Sequence, residues 1–261
     1  MKKLALALTA LLLLAGCGTS AAVSTPNITA GTTAATSKTV TVFAAASMKA
    51  TFTGLGKTFE AHHPGVQVTF NFAGSQTLAE QITQGAPADA FAAANEATMK
   101  TVTTAGLNSG DAQQFATNRL TIAVPPTNPA GIATFADLAK PGLKLVVCAP
   151  AVPCGAATQT ISKATGVTLK PVSEEQSVTD VLGKVQTGEA DAGLVYSTDV
   201  TSAAGRVTAI DFPEASRAIN TNSIVALKNG PQAALGQAFV DLVLSAEGQA
   251  VLKAAGFGSP A

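Results

Sequence analysis

From residue 39 onward the chain alternates short apolar runs with amphipathic runs, and this alternation restricts its fold more than any other feature. The first three apolar runs are TVTVFAAA (39–46), VQVTFNF (66–72) and DAFAAA (89–94), and amphipathic runs occupy 47–63, 75–85 and 95–106. An order of strand, helix, strand, helix, strand is typical of a parallel sheet covered by helices on both faces. The first part of the chain is therefore predicted to be an α/β unit.

The same pattern restarts in the second part of the chain. Strands are predicted at 118–126, 144–150, 191–197 and 222–228, and helices at 155–166, 177–188, 232–245 and 246–257. Two α/β units with a return of the C-terminal segment predict a two-lobed protein with a cleft between the lobes. Lobe I is predicted to comprise 39–118 and 222–261, and lobe II 119–221.

The N-terminus is predicted to be an export signal rather than part of the fold. Lys2 and Lys3 precede an apolar run from Leu4 to Leu14, which is too short to span a membrane as a mature helix. The segment LAGC (14–17) resembles the bacterial lipoprotein signal, which predicts cleavage after residue 16 and a lipid such as palmitate on Cys17. An ordinary secretory peptide with an incidental Cys17 is the alternative.

Residues 17–38 are rich in Ser, Thr, Ala and Gly and show no hydrophobic period, which predicts a flexible tether. Together with the lipid on Cys17, this predicts an extracytoplasmic domain anchored to the cell membrane. The remaining cysteines, Cys148 and Cys154, favour a small disulfide loop in an exported protein. Two free buried thiols are the alternative, whereas a metal site lacks further ligands nearby in the sequence.

Composition limits the partners of the chain. Hydrophobic residues make up 47% of it, the formal net charge is zero, and no Lys/Arg-rich run occurs. The chain can therefore form a sizeable core, and nucleic acid is not expected as a partner. Bulk charge cannot attract an anion to such a protein, so local dipoles would have to do so.

Two serines occupy positions where parallel sheets bind ligands. Ser47 and Ser75 each follow a predicted strand and open a predicted helix. The first turn of a helix exposes unpaired N–H groups and a partial positive charge, which suits an oxyanion. Each serine taken singly is better explained as a helix cap. Because two of them follow consecutive strands, an anion site and simple capping are about equally supported.

The second predicted unit offers a matching set of groups. Pro153-Cys154-Gly155 leads into a helix, Ser177-Val178 opens another, and Tyr196 ends the strand DAGLVYS. The hydroxyl of Tyr196 would point toward the cleft. A core tyrosine bonded to a backbone carbonyl is the alternative.

Several segments recur in the same order in one family of proteins. AAASM, GSQTLAEQI, GAPADAFAAA, VPCG and GLVYSTD make the chain similar to the periplasmic molybdate-binding proteins of ABC transporters over residues 39–257. The resemblance implies the type II periplasmic-binding-protein fold, in which each lobe is a mixed, mostly parallel sheet flanked by helices. It also implies a monomer that delivers its ligand to a membrane permease.

The resemblance implies a role for each matched residue. Ser47 and Ser75 would each give a backbone N–H and a hydroxyl, Cys154 and Val178 a backbone N–H, and Tyr196 a hydroxyl. The ligand would be molybdate or tungstate, with molybdenum bound only as its oxyanion and no cofactor present. The VPCG turn departs from the family, because it carries a cysteine where alanine is common.

Other functions have less support in the sequence. A receptor for sulfate, thiosulfate or another small anion is the main alternative. An enzyme on the same fold is not expected, because no G-x-S-x-G motif occurs and Ser47 and Lys49 form S-x-K rather than S-x-x-K. His62 and His63 are predicted to be a solvated helix end, and Asp89, Asp191 and Asp199 to cap turns or helices.

Overall fold

The structure is a computed structural model that describes residues 38–260, which belong to one compact unit. The predicted signal peptide and Cys17 lie outside the described residues, as does the tether up to residue 37. Lys38 differs from the prediction, because it is the first residue of a strand and pairs with Val66 instead of ending the tether.

Strands and helices alternate along the described residues. The strands are β1 (Lys38–Ala45), β2 (Val66–Ala73), β3 (Ala90–Ala93), β4 (Asn108–Asn118), β5 (Leu120–Val124), β6 (Leu145–Cys148), β7 (Ser173–Glu175), β8 (Ala192–Tyr196), β9 (Thr208–Ile210) and β10 (Asn220–Leu227). The α-helices are α1 (Lys49–His62), α2 (Ser75–Thr83), α3 (Glu96–Thr104), α4 (Pro153–Thr165), α5 (Val178–Gln186), α6 (Ser197–Ser202), α7 (Ala233–Leu244) and α8 (Ala246–Ala254). Among the described helices, none is long and apolar enough to cross a membrane.

The first sheet has the strand order β2-β1-β3-β10-β4. Strand β1 pairs in parallel with β2 and β3, as the strand–helix–strand pattern predicts. Strand β10 returns from the C-terminal part of the chain and runs antiparallel to β3 and β4. Because parallel strands end at the same edge, Ala45, Ala73 and Ala93 bring their following turns close together.

The second sheet repeats this plan with the order β7-β6-β8-β5-β9. Strand β6 is parallel to β7 and β8, and β5 is antiparallel to β8 and β9. Both sheets are therefore mixed, with parallel strands on one side and antiparallel strands on the other. The predicted two-lobed α/β fold is confirmed.

Several short or polar elements were not predicted from the sequence. Strand β4 has the sequence NSGDAQQFATN, in which few residues are buried, and it lies at the edge of its sheet. Its hydrophobic alternation is weak because one side faces solvent and its pairing with β10 contains register shifts. Strands β7 and β9 have only three residues each, and α6 has six.

Aromatic residues dominate the core of the first lobe. Phe52 and Phe59 of α1 pack on Phe239 of α7, with ring centroids 5.9 and 5.6 Å apart. Phe52 also meets Phe115 of β4 at 5.8 Å. These rings hold two helices against the sheet and bury large apolar areas. The second lobe has a separate core, in which Phe135 stacks on Phe212 at 5.2 Å.

A buried carboxylate ties the first lobe together. Asp89 is fully buried, and its two oxygens accept hydrogen bonds from the backbone N–H groups of Thr41 at 2.7 Å and Gln232 at 2.6 Å. One bond reaches β1 and the other the start of α7, where a negative charge is favoured. Asp89 thus has the capping role that the sequence predicts.

The chain passes between the lobes at two neighbouring points. It leaves the first sheet at Asn118 and enters the second at Leu120, and it returns to the first sheet at Asn220. Asn118 and Asn220 are register partners on β4 and β10, so the two connections lie side by side. Paired connections of this kind are typical of a hinge. The predicted lobe boundaries stay a prediction, because the described residues form one compact unit.

Candidate functional site

In the first lobe, two helices begin at the carboxyl ends of neighbouring parallel strands. Strand β1 runs into a 3-10 turn (Ala46–Met48) that contains Ser47 and continues directly as α1. Strand β2 is followed by Gly74, and α2 then begins at Ser75. Both serines are buried. The expected placement of Ser47 and Ser75 at adjacent helix starts is confirmed.

In the second lobe, two further helices and one strand end supply the facing groups. Helix α4 begins with Pro153, so Cys154 is its second residue. Ser177 caps α5 by accepting a hydrogen bond from the N–H of Asp180, and Val178 is the first residue of that helix. Tyr196 is the last residue of β8 and is almost completely buried.

All five predicted site residues line one cavity between the lobes. The cavity is nearly closed, with a volume of about 10 Å³. The lining residues are Ala45, Ala46, Ser47, Ala73, Gly74, Ser75, Ala94, Val152, Pro153, Cys154, Val178 and Tyr196. None of these residues is charged, so any attraction for an anion must come from dipoles.

The backbone supplies part of this dipolar lining. The N–H groups in the first turn of a helix have no acceptor within the helix and carry a partial positive charge. Ser75 and Val178 occupy the first position of their helices, and Cys154 the second position of α4. Helix starts from both lobes therefore bring N–H donors to the same small cavity.

Three hydroxyls complete the lining. The Oγ of Ser47 and the hydroxyl of Tyr196 are buried and have no hydrogen-bond partner among residues 38–260. The Oγ of Ser75 accepts a hydrogen bond from the N–H of Ala94 at 3.0 Å, which leaves its own proton free to be donated. Buried hydroxyls without partners are costly, so a ligand that accepts hydrogen bonds would stabilise the closed cavity.

Comparison with known proteins places this chain in a family. The family model described as "Bacterial extracellular solute-binding protein" matches residues 40–258. The chain belongs to this family. It is 50% identical to the molybdate-binding protein ModA of Mycobacterium tuberculosis over 247 residues, which is 95% of this chain and 93% of that protein. The predicted resemblance is therefore confirmed.

Solved structures agree on the fold. The periplasmic molybdate-binding protein of Azotobacter vinelandii is similar with a TM-score of 0.74 and 22% identity, over 85% of this chain and 100% of that chain. The sulfate-binding protein SubI of M. tuberculosis has a TM-score of 0.69 and 20% identity, over 84% and 86% of the two chains. The family and these relatives are solute-binding proteins.

In this solute-binding protein, a buried acid lies behind the tyrosine. Asp199 accepts a hydrogen bond from the backbone N–H of Tyr196 at 2.9 Å, and burial raises the pKa of Asp199 to about 7. Burial, followed by the charge of Asp199, raises the pKa of Tyr196 well above its usual value. The phenol therefore keeps its proton and remains a donor.

The disulfide between Cys148 and Cys154 is present, with the two Cα atoms 5.7 Å apart. It joins the last residue of β6 to the second residue of α4, next to the cavity. Gly155 packs so closely on the carbonyl of Ala149 that a Cβ would overlap it. The disulfide and this contact hold the turn that presents the N–H of Cys154.

One residue that links the two halves of the site was not predicted. The side-chain Nδ2 of Asn220 donates to the carbonyl of Ala94 at 2.9 Å and lies 3.5 Å from the carbonyl of Pro153. It therefore connects the strand end that supports Ser75 with the turn that contains Cys154. No local pattern reveals this residue, because its partners are 126 and 67 positions away in the sequence.

The other polar residues singled out in the sequence lie away from the cavity. The carboxylate of Asp191 accepts a hydrogen bond from the N–H of Lys144 at 2.9 Å, which confirms its capping role. His62 ends α1, and the ring of His63 stacks on Phe59 at 4.1 Å. Among the described residues, no group of three or more His, Cys, Asp or Glu side chains could hold a metal ion.

A larger open cavity runs along α4 on the second lobe. Its volume is about 470 Å³, and it is lined by residues that include Lys163 and Glu174. Cys148 and Gly155, which belong to the turn closed by the disulfide, also line this larger cavity. Only one lobe contributes to it, so it does not show the convergence of helix starts that distinguishes the smaller cavity.

Proposed function

We propose that this protein captures molybdate, and with it tungstate, outside the cytoplasm and delivers the oxyanion to an ABC transporter permease. The observation that carries the proposal is the uncharged cavity in which helix starts from both lobes meet three buried hydroxyls. The 50% identical relative of M. tuberculosis is itself a molybdate-binding protein, which supports the same ligand class.

Neutral donors are sufficient for a dianion because each one is a fixed dipole. A hydrogen bond to a charged group contributes about 1.5–3 kcal/mol, so several together can offset the loss of hydration. The proposed donors are the N–H groups of Ser47, Ser75, Cys154 and Val178 and the hydroxyls of Ser47, Ser75 and Tyr196. Without an arginine or lysine among them, the complex can also be released to the permease.

Closure of the lobes would couple binding to delivery. Each lobe contributes only part of the donor set, so an open form would hold an incomplete site. An oxyanion that touches both parts would favour the closed form through contacts that the open form lacks. The permease would then distinguish a loaded protein from an empty one by its closed shape.

Shape and protonation would select the ligand. The donor shell suits a tetrahedral anion that accepts hydrogen bonds at every oxygen. Phosphate carries a proton near neutral pH and would meet no acceptor among these donors, which disfavours it. Sulfate matches in charge and shape but is smaller than molybdate, so it would leave some donors too distant.

The remaining features of the proposal concern the N-terminal part of the chain. A lipid on Cys17, such as palmitate, would anchor the protein outside the cell membrane, and the segment up to residue 37 would act as a tether. We propose that the protein acts as a monomer without catalytic activity. Mass spectrometry of the protein from its native membrane would detect the lipid on Cys17.

Thermal unfolding with four anions tests the ligand. Molybdate, tungstate, sulfate and phosphate are each added at the same concentration to the purified protein. A ligand at 1,000 times its dissociation constant stabilises by about 4.1 kcal/mol, which for a chain of this size raises the unfolding temperature by about 8–16 °C. Large shifts with molybdate and tungstate alone are expected. A shift with sulfate alone would keep the anion site and change the ligand, and no shift would contradict the proposal.

A further inference from the structure

Gly74 lies where the two lobes touch. It is the residue between β2 and α2 and lies directly before Ser75. A Cβ built on Gly74 would overlap the backbone carbonyl oxygen of Gln176, which belongs to the second lobe, and the side-chain amide of Gln76. The two backbones therefore approach each other here as closely as a residue without a side chain allows.

The backbone conformation of Gly74 does not itself require glycine. Its φ is −59° and its ψ is 138°, values that any amino acid adopts easily. Other glycines of the chain differ in this respect, since Gly65 and Gly85 have φ values of 86° and 91°. At position 74 the requirement for glycine comes from its contacts instead, with the rigid backbone of Gln176 in the opposite lobe and with the flexible side chain of Gln76.

A second contact occurs at the same point. The side-chain Nε2 of Gln76 donates to the carbonyl oxygen of Gln176 at 3.1 Å. The Oε1 of the same side chain is buried and has no partner among the described residues. The Gln176 carbonyl thus fits against Gly74 and is bonded by Gln76 from the first lobe.

The neighbours of these residues are the proposed ligand donors. Gly74 adjoins Ser75, and Gln176 lies two residues before Val178, the first residue of α5. The distance between residues 74 and 176 therefore controls how closely the donors of the first and second lobes can approach one anion. A side chain at position 74 would hold the two helix starts apart.

We propose that Gly74 is an affinity-determining residue, because the absence of a side chain at this position permits the closure that completes the anion site. This inference rests on the proposed function. It assigns an effect on affinity to a residue that is not one of the proposed hydrogen-bond donors. It predicts that a Cβ at position 74 weakens binding without harming the fold of the unliganded protein. A residue that merely supports the fold would show the opposite pattern.

The test compares Gly74→Ala with the wild type and with Gly183→Ala in the full chain. Gly183 lies inside α5, and a Cβ there meets nothing within 4 Å. Titration calorimetry gives the dissociation constant for molybdate, and small-angle scattering gives the radius of gyration with and without it. We expect Gly74→Ala to raise the dissociation constant at least tenfold and to reduce the ligand-induced compaction, and Gly183→Ala to bind as the wild type does.

Unfolding of the unliganded variants separates closure from folding. Gly74→Ala is expected to unfold at the wild-type temperature or slightly above it, because its φ and ψ suit alanine. If Gly74→Ala unfolds earlier, the double variant Gly74→Ala/Gln76→Ala removes the crowding within the first lobe. That double variant should regain stability and bind molybdate more weakly than Gln76→Ala alone, which lacks the same hydrogen bond between the lobes.

The outcomes distinguish the two proposals. A wild-type protein that binds none of the four anions would overturn the proposed function. A wild-type protein that binds molybdate while Gly74→Ala binds it equally well would overturn the role of Gly74 alone. Weak binding by Gly74→Ala together with normal unliganded stability would support both.

Discussion

The two halves of the candidate site would present the proposed donors by different means. In the first lobe, Ser47 and Ser75 combine backbone N–H groups with hydroxyls on the same residues. In the second lobe, Cys154 and Val178 have side chains that donate nothing comparable, and a single hydroxyl comes from Tyr196. The proposed donors of the first half thus include side-chain hydroxyls on both residues, whereas most of those in the second half are backbone N–H groups.

This difference affects how each half tolerates substitution. A serine hydroxyl disappears when the side chain changes, but an N–H persists with every residue except proline. The second half instead depends on holding its turns in place, which the Cys148–Cys154 disulfide and the cap formed by Ser177 achieve. We therefore expect substitutions that alter backbone groups to matter most in the second lobe.

The largest effect is expected from Val178→Pro. Position 178 is the first residue of α5, where proline fits a helix, and Ser177 already has the extended conformation that a following proline requires. The variant should fold, yet it lacks the N–H and places ring atoms where the anion would lie. We expect the dissociation constant for molybdate, measured by calorimetry, to rise about 100-fold or more. The lost charge-assisted hydrogen bond contributes about 1.5–3 kcal/mol, or about 10- to 160-fold, and the clash of the ring with the anion adds to it.

Val178→Ala is the matched control for this comparison. It also shortens the side chain but keeps the N–H, so we expect its affinity to stay within a few-fold of the wild type. Equal losses in Val178→Pro and Val178→Ala would show that packing of the valine, rather than its backbone donor, determines binding.

The hydroxyl-bearing residues should give the next largest effects. Ser47→Ala and Tyr196→Phe each remove one donor, which corresponds to a loss of affinity of about 10- to 100-fold. Neither hydroxyl has a partner among residues 38–260, so the unliganded variants should be at least as stable as the wild type. Calorimetry and thermal unfolding check the two statements separately, and unchanged affinity would remove these hydroxyls from the site.

Ser75→Ala should behave differently from Ser47→Ala. The Oγ of Ser75 also accepts a hydrogen bond from the N–H of Ala94. Its loss leaves a buried N–H without an acceptor, so we expect Ser75→Ala to lose stability by about 1–3 kcal/mol in addition to losing affinity. Chemical denaturation of the unliganded protein measures this difference, and equal stability of the two variants would contradict it.

Removing the disulfide should affect stability more than affinity. In Cys148→Ser/Cys154→Ser the N–H of residue 154 remains, so the dissociation constant should rise only a few-fold. The loss of a short cross-link lowers the free energy of unfolding by about 2–3 kcal/mol. Denaturation and calorimetry on the same variant compare the two effects. A 100-fold loss of affinity in the folded variant would show that the turn requires its cross-link to present the donor.

The contrast between the two halves also explains what the sequence could predict. Ser47 and Ser75 follow strong apolar runs at helix starts, so both the elements and the residues could be identified from local patterns. The helix starts at Cys154 and Val178 were also identified locally, but the role of these residues as donors was predicted through the family resemblance, because nothing in a valine or cysteine side chain signals an anion.

Residues that act between lobes could not be predicted. The role of Asn220 depends on carbonyls from both lobes, and that of Gly74 depends on Gln176, about 100 residues further along the chain. Strand β4 was missed for a related reason, since its polar edge position leaves no hydrophobic period. Local sequence determines which elements form, whereas these residues take their function from the way distant elements meet.

The smallest effect on affinity is expected from the ionisation of Asp199, the acid behind Tyr196. The first half of the site has no comparable group among the residues that line the cavity. Burial raises the pKa of Asp199 from 3.8 to about 7 in the folded protein. Because this value lies above that of the unfolded chain, the folded state binds the proton more tightly, and the free energy of unfolding should fall as the pH rises from about 4 to about 7. Ionised Asp199 also adds a negative charge near the cavity, so molybdate binding should weaken a few-fold between pH 6 and pH 8.

Asp199→Asn isolates this contribution. The amide oxygen of asparagine can still accept the hydrogen bond from the N–H of Tyr196, but the side chain no longer titrates. We expect the affinity of the variant for molybdate to change little over the same pH range. Between pH 4 and pH 7, its free energy of unfolding should fall less than that of the wild type. If the wild type and Asp199→Asn show the same pH dependence in both measurements, the carboxyl does not titrate in this range. Anion binding by the second half would then depend, as in the first half, on fixed dipoles and not on a titrating charge.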